Sequence, residues 1–391
     1  MLSGRVVTIN RTKIICGDHA FSGLQKMIST PGYRKSKVFI LTDSNTRIHC
    51  LPILLQACPV LSSAFILEIE SGESSKTLTC AVNLWMELIH QNAGRDCLLV
   101  NLGGGVVSDI GGFVAGGYKR GIRYLNIPTS LMGMVDAAIG GKTAVNLDQI
   151  KNQLGFFHTP DGIFIDKVFL KTLPAGHLRS GFAEVIKSAL AGDAVLWRKI
   201  RKQGITGILD CAHEGKFPDD IIMKTVVYKN RIACQDFREK KQRKVLNFGH
   251  TFGHAFEALC FNENGRKGSG KALGSLNVTT AHDPLLHGDA VALGMIAETK
   301  LSCMKTGLSE AEAEPLIACL KSGYSDQIEG LRVSLATEGS GRRQLLELMF
   351  HDKKNKEDRI LFTLLQSIGK PKINIPAGPD EIMLALDKLF D

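Results

Sequence analysis

The sequence predicts a two-domain protein: an α/β domain with a parallel sheet over residues 1–172, and a mainly α-helical domain over residues 173–391. Three observations carry this. The chain has 391 residues, 44% apolar and 22% charged, which exceeds one ordinary core and is not a disordered composition. Short apolar, β-rich runs alternate with helix-like stretches over the first 170 residues, the pattern of a parallel sheet layered with helices. From about Leu173 the apolar residues fall at helical spacing and no convincing strand run intervenes.

In the first domain, KVFILTD (37–43) is an apolar run that ends in Asp43. AFILEIE (64–70) leads into SGESSK and a helical pattern from Thr77 to about Gln91. DCLLVNL (96–102) runs into a glycine cluster, and RYLNIPTS (123–130) and GIFID (162–166) repeat the plan. Ligands on such sheets bind beyond the carboxyl ends of the strands, where the informative residues here stand. In the second domain, LRSGFAEVIKSAL (178–190), IMKTVVYKNRIACQ (222–235), FGHTFGHAFEAL (248–259) and HGDAVALGMIAETKLSCMK (287–305) read as helices. Asn262–Leu286, rich in Gly, Lys, Asn and Ser, reads as a loop inserted between the last two, either a functional lid or an unstructured insertion.

The net charge is +9. The basic residues are spread without an aromatic-interleaved stripe, so a cleft that collects an anionic cofactor and substrate explains the excess as well as nucleic acid does. The ten cysteines include no CxxC pair and read as reduced, mostly buried thiols. No run of about 18 apolar residues predicts a membrane span. Arg5, Arg11 and Lys13 interrupt the N-terminal apolar positions, so no signal-peptide core forms and a cytoplasmic location is expected.

LLVNLGGGVVSDIGG (98–112) puts Gly103, Gly104 and Gly105 directly after a buried-strand pattern. Glycines there let a backbone turn tightly against a pyrophosphate, or they form a plain turn; the string is not GxGxxG. Asp43 can accept hydrogen bonds from ribose hydroxyls or cap a helix. Glu73 and Lys76 can clasp an adenosine moiety or begin a helix as an exposed pair.

Glu184 and Lys187 lie three apart on a helix, and His250 and His254 lie four apart, so each pair shares a face. His287 opens the next helix. A Glu and two His residues are a common Zn²⁺ set where a position stays open for substrate, although a lone His pair is more often structural. HxxxH without the inner Glu is not the zincin motif. Lys142, Lys151, Asn152, Arg120, Lys229, Arg243, Asn247, Lys353 and Lys354 form a cationic and amide set that suits a phosphate and a carboxylate, while each taken singly reads as a solvated surface group.

GESSK, GGGVVSDIGGFVAGGYKRG, IPTSLMGMVDAAIGGKTAVN, KNQLG, RSGFAEVIK, LNFGHTFGHAFE, LHGDAVALGM and HDKK occur in one order across roughly residues 35–370. In this combination the chain resembles the 3-dehydroquinate synthase family. The resemblance implies a Rossmann-like N-terminal domain, a helical metal-binding C-terminal domain, a cleft between them and a homodimer. It implies Zn²⁺ or Co²⁺ on Glu184, His250 and His287. It implies NAD contacts from Asp43, Glu73, Lys76, Gly104, Gly105, Val106, Val107, Ser108, Asp109, Thr129, Ser130, Lys142, Lys151, Phe169, Leu170, Lys171 and Thr172. Substrate contacts are implied for Asp136, Lys142, Asn152, Lys187, Lys229, Arg243, Asn247, His254 and one of Lys353 or Lys354. Arg120 is implied to reach the partner subunit's phosphate site.

The implied reaction converts 3-deoxy-D-arabino-heptulosonate 7-phosphate to 3-dehydroquinate and phosphate, with NAD reduced transiently and restored in every turnover. One spacing and two positions depart from the family's pattern. His250 and His287 stand 37 positions apart, Phe237 replaces an acid, and Ser130 replaces a Thr. The alternatives are another sugar-phosphate cyclase, making aminodehydroquinate, 2-deoxy-scyllo-inosose or 2-epi-5-epi-valiolone, and a metal-dependent polyol dehydrogenase. Arg243, Asn247 and the Lys353–Lys354 pair favour a carboxylate-bearing substrate.

Overall fold

The computed structural model describes residues 5–9, 12–147, 150–266, 285–337, 341–350 and 359–390. The chain divides into two compact units, Met1–Gly181 with Leu209–Arg238, and Phe182–Ile208 with Glu239–Asp391.

The first unit opens with an antiparallel hairpin, β1 (Arg5–Ile9) and β2 (Thr12–Cys16), followed by α1 (Ala20–Ile28). Then β3 (Val38–Asp43), α2 (Ser44–His49), α3 (Leu51–Ala57), β4 (Phe65–Ile69), α4 (Leu78–His90), β5 (Leu98–Gly103), α5 (Gly105–Gly117) and β6 (Arg123–Pro128) alternate. A second hairpin, β7 (Lys142–Leu147) and β8 (Ile150–Phe157), precedes β9 (Gly162–Ile165).

Among the described residues, seven strands form one sheet in the order β1-β2-β9-β6-β5-β3-β4, parallel except for β1. From β3 the chain passes to β4 on one side and then to β5 on the other. The carboxyl ends of β3 and β5 therefore flank a topological switch point, where doubly wound sheets bind ligands. β5 is buried at every position, the reason it reads as a continuous apolar run. Its Leu99 joins Phe39, Leu41, Leu84, Ile110 and Phe113 in the core between sheet and helices.

Four helices follow: α6 (Ala175–Gly192), α7 (Ala194–Gln203), α8 (Ile205–His213) and α9 (Asp219–Gln235). Although it lies beyond residue 172, α9 falls in the first unit and packs on β1 and on the Gly133–Ala137 turn. Helical periodicity shows that a helix has an apolar face; it does not say which neighbour covers that face.

The second unit holds α10 (His250–Arg266), α11 (His287–Thr306), α12 (Glu310–Gly323), α13 (Ser325–Thr337) and α14 (Gly341–Phe350). It ends with an antiparallel hairpin, β10 (Ile360–Ser367) and β11 (Lys370–Ala377), and α15 (Pro379–Phe390). The unit is mainly helical, as expected, and this hairpin is the strand pair that the sequence reading did not place. ILFTLLQS is a short apolar run, and periodicity does not separate a buried strand from a buried helix at that length.

Asn262–Arg266 likewise continue α10, so the inserted segment does not begin at Asn262. A helix already nucleated gains one hydrogen bond per added residue, which outweighs weak local propensity. Residues 267–284 of that segment, and Lys353 and Lys354, lie outside the described residues. No helix among the described residues is long and apolar enough to cross a membrane.

Candidate metal and cofactor sites

In the first unit the switch point is lined by the predicted glycine turn. Gly104 caps α5 and Gly105 is its first residue. A Cβ on Gly104 would stand 3.1 Å from Ser130 Oγ, and one on Gly105 would stand 3.2 Å from the Ala137 Cβ. The turn is thus held against the loop after β6, where Thr129 N donates to Gly103 O (3.0 Å). The first turn of α5 leaves amides without helical partners, the usual anion-binding feature of a helix start. Of the predicted Val106–Asp109 stretch, Val107 and Ser108 are buried and Ser108 N is already bonded to Gly104 O (3.0 Å). Asp43 ends β3 and caps α2 in a reciprocal box, its Oδ1 accepting from Thr46 N (2.8 Å).

Three predicted residues meet around a fourth, Lys76, which is only 5% exposed. Its Nζ donates to Asp109 Oδ2 (2.6 Å) and Asn152 Oδ1 (2.6 Å) and stands 4.0 Å from Glu73 Oε1. Burial pushes the Asp109 carboxyl above its usual range, against the pull of the Lys76 ammonium. Asn146, which sequence reasoning missed, ties the group together: its Nδ2 donates to Glu73 Oε1 (2.9 Å) and its Oδ1 accepts from Asn152 N (2.9 Å). Asn152 sits at φ 55°, a left-handed backbone that asparagine tolerates better than most residues.

Asp136 and Lys229 also meet. Lys229 Nζ contacts Asp136 Oδ1 (2.5 Å) and donates to Asp136 O (2.6 Å). Lys142 and Lys151 are exposed at opposite ends of the β7–β8 hairpin, where Lys142 pairs with Phe157 and Leu147 with Ile150. Phe169 and Leu170 are core residues in a 3-10 segment, Lys167–Thr172, that also holds Lys171 and Thr172. Arg120 is exposed at φ 68°, next to Lys119 at φ 47°. Two consecutive non-glycine residues in this region store strain, which clusters at functional sites.

In the second unit, α6 supplies Glu184 and Lys187, α10 supplies His250, His254 and Glu257, and α11 opens with His287. Glu184, His250 and His287 each present one donor atom, all within 4.8 Å of one another. Glu184 Oε1 stands 3.7 Å from His250 Nε2 and 3.9 Å from His287 Nε2. Two donors bound to one Zn²⁺ at about 2.0–2.2 Å stand no more than about 4.4 Å apart, so these separations fit an ion.

The carboxylate itself argues the same way. Glu184 is 1% exposed, and neither oxygen accepts a hydrogen bond from the described residues; Lys187 Nζ is in ion-pair contact with Oε2. A buried carboxylate is costly unless its lone pairs are taken up; Lys187 stands at Oε2, while Oε1 faces the two imidazoles across the space an ion would fill.

His250 is held well below its ordinary pKa by burial and then by Lys187, His254 and His287, which keeps a lone pair available. Desolvation also lowers His287, but the Glu257 hydrogen bond and the charges of Glu257 and Glu184 outweigh it and leave this imidazole raised. Glu257 Oε2 lies 3.2 Å from His287 Nδ1, the outer-shell carboxylate that orients a ligating histidine. Sequence reasoning missed Glu257, although it falls seven residues after His250 on the stripe that also holds His254. The exposed His254 ring lies 5.3 Å from that of His250 and 5.9 Å from that of His287. Arg243 is buried, and Asn247 Nδ2 donates to Glu239 Oε1 (3.2 Å).

A doubly wound sheet with a glycine turn at its switch point, and a helical unit with a Glu-His-His cluster, are the parts of a dinucleotide- and metal-dependent enzyme. Residues 66–180 match the family model of the 3-dehydroquinate synthase N-terminal region, and residues 181–355 that of its C-terminal region. The chain is 37% identical over 374 residues to the 3-dehydroquinate synthase of Parabacteroides distasonis, covering 96% of each. It is 35% identical to that of Thermoanaerobacter pseudethanolicus, covering 87% of each. The chain belongs to the 3-dehydroquinate synthase family.

Among solved structures, it is similar to 2-deoxy-scyllo-inosose synthase complexed with carbaglucose-6-phosphate, NAD⁺ and Co²⁺. That match has a TM-score of 0.79 and 22% identity, and covers 98% of this chain and 99% of that one. It is also similar to 2-epi-5-epi-valiolone synthase from Streptomyces hygroscopicus subsp. jinggangensis, with NAD⁺ and Zn²⁺ bound. Here the TM-score is 0.71 and the identity 25%, over 91% of each chain.

Proposed function

We propose that the protein converts 3-deoxy-D-arabino-heptulosonate 7-phosphate to 3-dehydroquinate and phosphate, using NAD and one Zn²⁺ or Co²⁺ ion. The observation that carries this reading is the buried Glu184 carboxylate whose Oε1 converges with two imidazoles, in a chain of this family. Glu184, His250 and His287 hold the metal. Asp43, the Gly104–Gly105 turn, Asp109, Lys76 and Thr129 hold the dinucleotide. When bound, the metal ion polarises substrate hydroxyl oxygens and the dinucleotide takes up and returns a hydride, so the reaction has no net redox change.

The chain's own residues bind and orient. Lys229, held on Asp136, and Arg243 supply fixed positive charge for the anionic groups of the substrate. Asn152 and Asn247 are anchored by neighbouring polar groups, so their remaining amide atoms are presented in set directions. Lys187 contacts Glu184 and adds a cation beside it. The imidazole of His254 is exposed next to the metal ligands, where it can relay a proton.

The working form is a homodimer in the cytoplasm. Supporting the dimer is an exposed apolar stripe along α4, formed by Leu78, Val82, Met86 and Ile89 on one helical face. Free cysteines, several of them buried, fit a reducing compartment.

The test is phosphate release with NAD⁺ and Zn²⁺ from the heptulosonate phosphate, compared with sedoheptulose 7-phosphate and glucose 6-phosphate. Release from the first with 3-dehydroquinate as product is expected. Turnover of a carboxylate-free sugar phosphate instead would move the protein to another cyclase activity.

A further inference from the structure

Glu298 has no part in the sites above, yet it is fully buried on α11, in the middle of the apolar run that starts at His287. Its Oε2 accepts from Gly249 N (2.6 Å), and its Oε1 accepts from Thr251 N (3.1 Å) and Phe252 N (3.4 Å). These are amides that the start of α10 leaves without helical partners. The same turn carries His250.

Two consequences follow. The first is geometric. α11 carries His287 at its first residue and Glu298 three turns later, so one carboxylate ties the helix bearing one histidine to the first turn of the helix bearing the other. The backbones approach closely enough for this because position 294 is glycine: a Cβ there would stand 2.0 Å from Gly249 O. The second is electrostatic. A helix N-terminus carries about half a positive charge, and α10 begins at a metal ligand. That partial charge opposes a cation at His250, and a buried carboxylate on the same amides offsets it.

We infer that Glu298 is a positioning residue for the metal centre, locking the first turn of α10 so that His250 faces Glu184 and His287 before any ion arrives. This rests on the metal reading given above. The test compares wild type and Glu298→Gln, which keeps the shape but removes the charge and turns one acceptor into a donor. Co²⁺ is titrated into metal-free protein and followed by visible absorption.

The expected result is about 10- to 100-fold weaker Co²⁺ binding with an altered ligand-field spectrum. Equal affinity and spectrum in the variant would overturn the inference while leaving the metal reading standing. Failure of wild type to bind Co²⁺ would remove both. Should the variant not fold, hydrogen exchange of metal-free wild type decides: the amides of Gly249, Thr251 and Phe252 are expected to be protected without metal. Protection that appears only with Co²⁺ would contradict a preformed lock.

Discussion

Glu184 stands among apolar neighbours on α6, where a glutamate serves no packing purpose. Its Oε1 faces both imidazoles, and its Oε2 is in ion-pair contact with Lys187 of its own helix. Glu184→Gln keeps the volume and removes the anionic ligand. It is expected to abolish both Zn²⁺ retention after dialysis and cyclase activity. Stoichiometric zinc in the variant would show that the ion sits elsewhere.

The cysteines mark the opposite kind of residue. Burial, with smaller contributions from nearby carboxylates, pushes the Cys16 and Cys50 thiols from 9.0 to about 12. A raised thiol pKa favours the neutral form: the stability it carries is intact below the ordinary value and is lost as pH rises towards the folded one. At pH 8 only about 10⁻⁴ of each is thiolate, so iodoacetamide should label neither in the folded protein. Labelling of Cys16 or Cys50 before unfolding would contradict their placement in the core.

At the scale of elements, the site depends on how closely α10 and α11 pack. Gly249 has φ 82°, a backbone that suits glycine, and it meets α11 at Gly294. A Gly294→Ala variant must push the helices apart or shift the Gly249 carbonyl. It is expected to lose roughly 3 kcal/mol of stability in urea denaturation, within the range for overpacking, and to bind metal more weakly. A variant as stable as wild type would mean the two helices are not held this tightly.

Much of this was legible in the residues. Strands β3, β4, β5, β6 and β9 follow from apolar runs, and the histidines from their spacing. What periodicity does not carry is which distant segments meet. The β7–β8 hairpin, the Asn146 bridge, the return of α9 to the first unit and Glu298 under the start of α10 are all set by tertiary pairing. Glu298 did leave a trace, as a carboxylate inside an otherwise apolar helical run.

At the scale of the whole molecule, the two units carry different groups on one chain, a sheet crevice lined by a helix start and a helical Glu-His-His cluster that could hold a metal ion. Solved structures of polyol and alcohol dehydrogenases share the fold at 13–14% identity with TM-scores of 0.57–0.60, so fold alone does not separate a cyclase from a dehydrogenase. The separation lies in what happens to the hydride. A dehydrogenase releases reduced dinucleotide, whereas in the proposed cyclase reaction the hydride returns to the substrate within each turnover.

The most direct measurement follows NADH absorbance and free phosphate together while the metal-loaded enzyme consumes 3-deoxy-D-arabino-heptulosonate 7-phosphate with NAD⁺. Phosphate is expected to accumulate over many turnovers with no net NADH beyond the enzyme's own concentration. NADH rising in step with substrate consumed, without phosphate, would contradict the account.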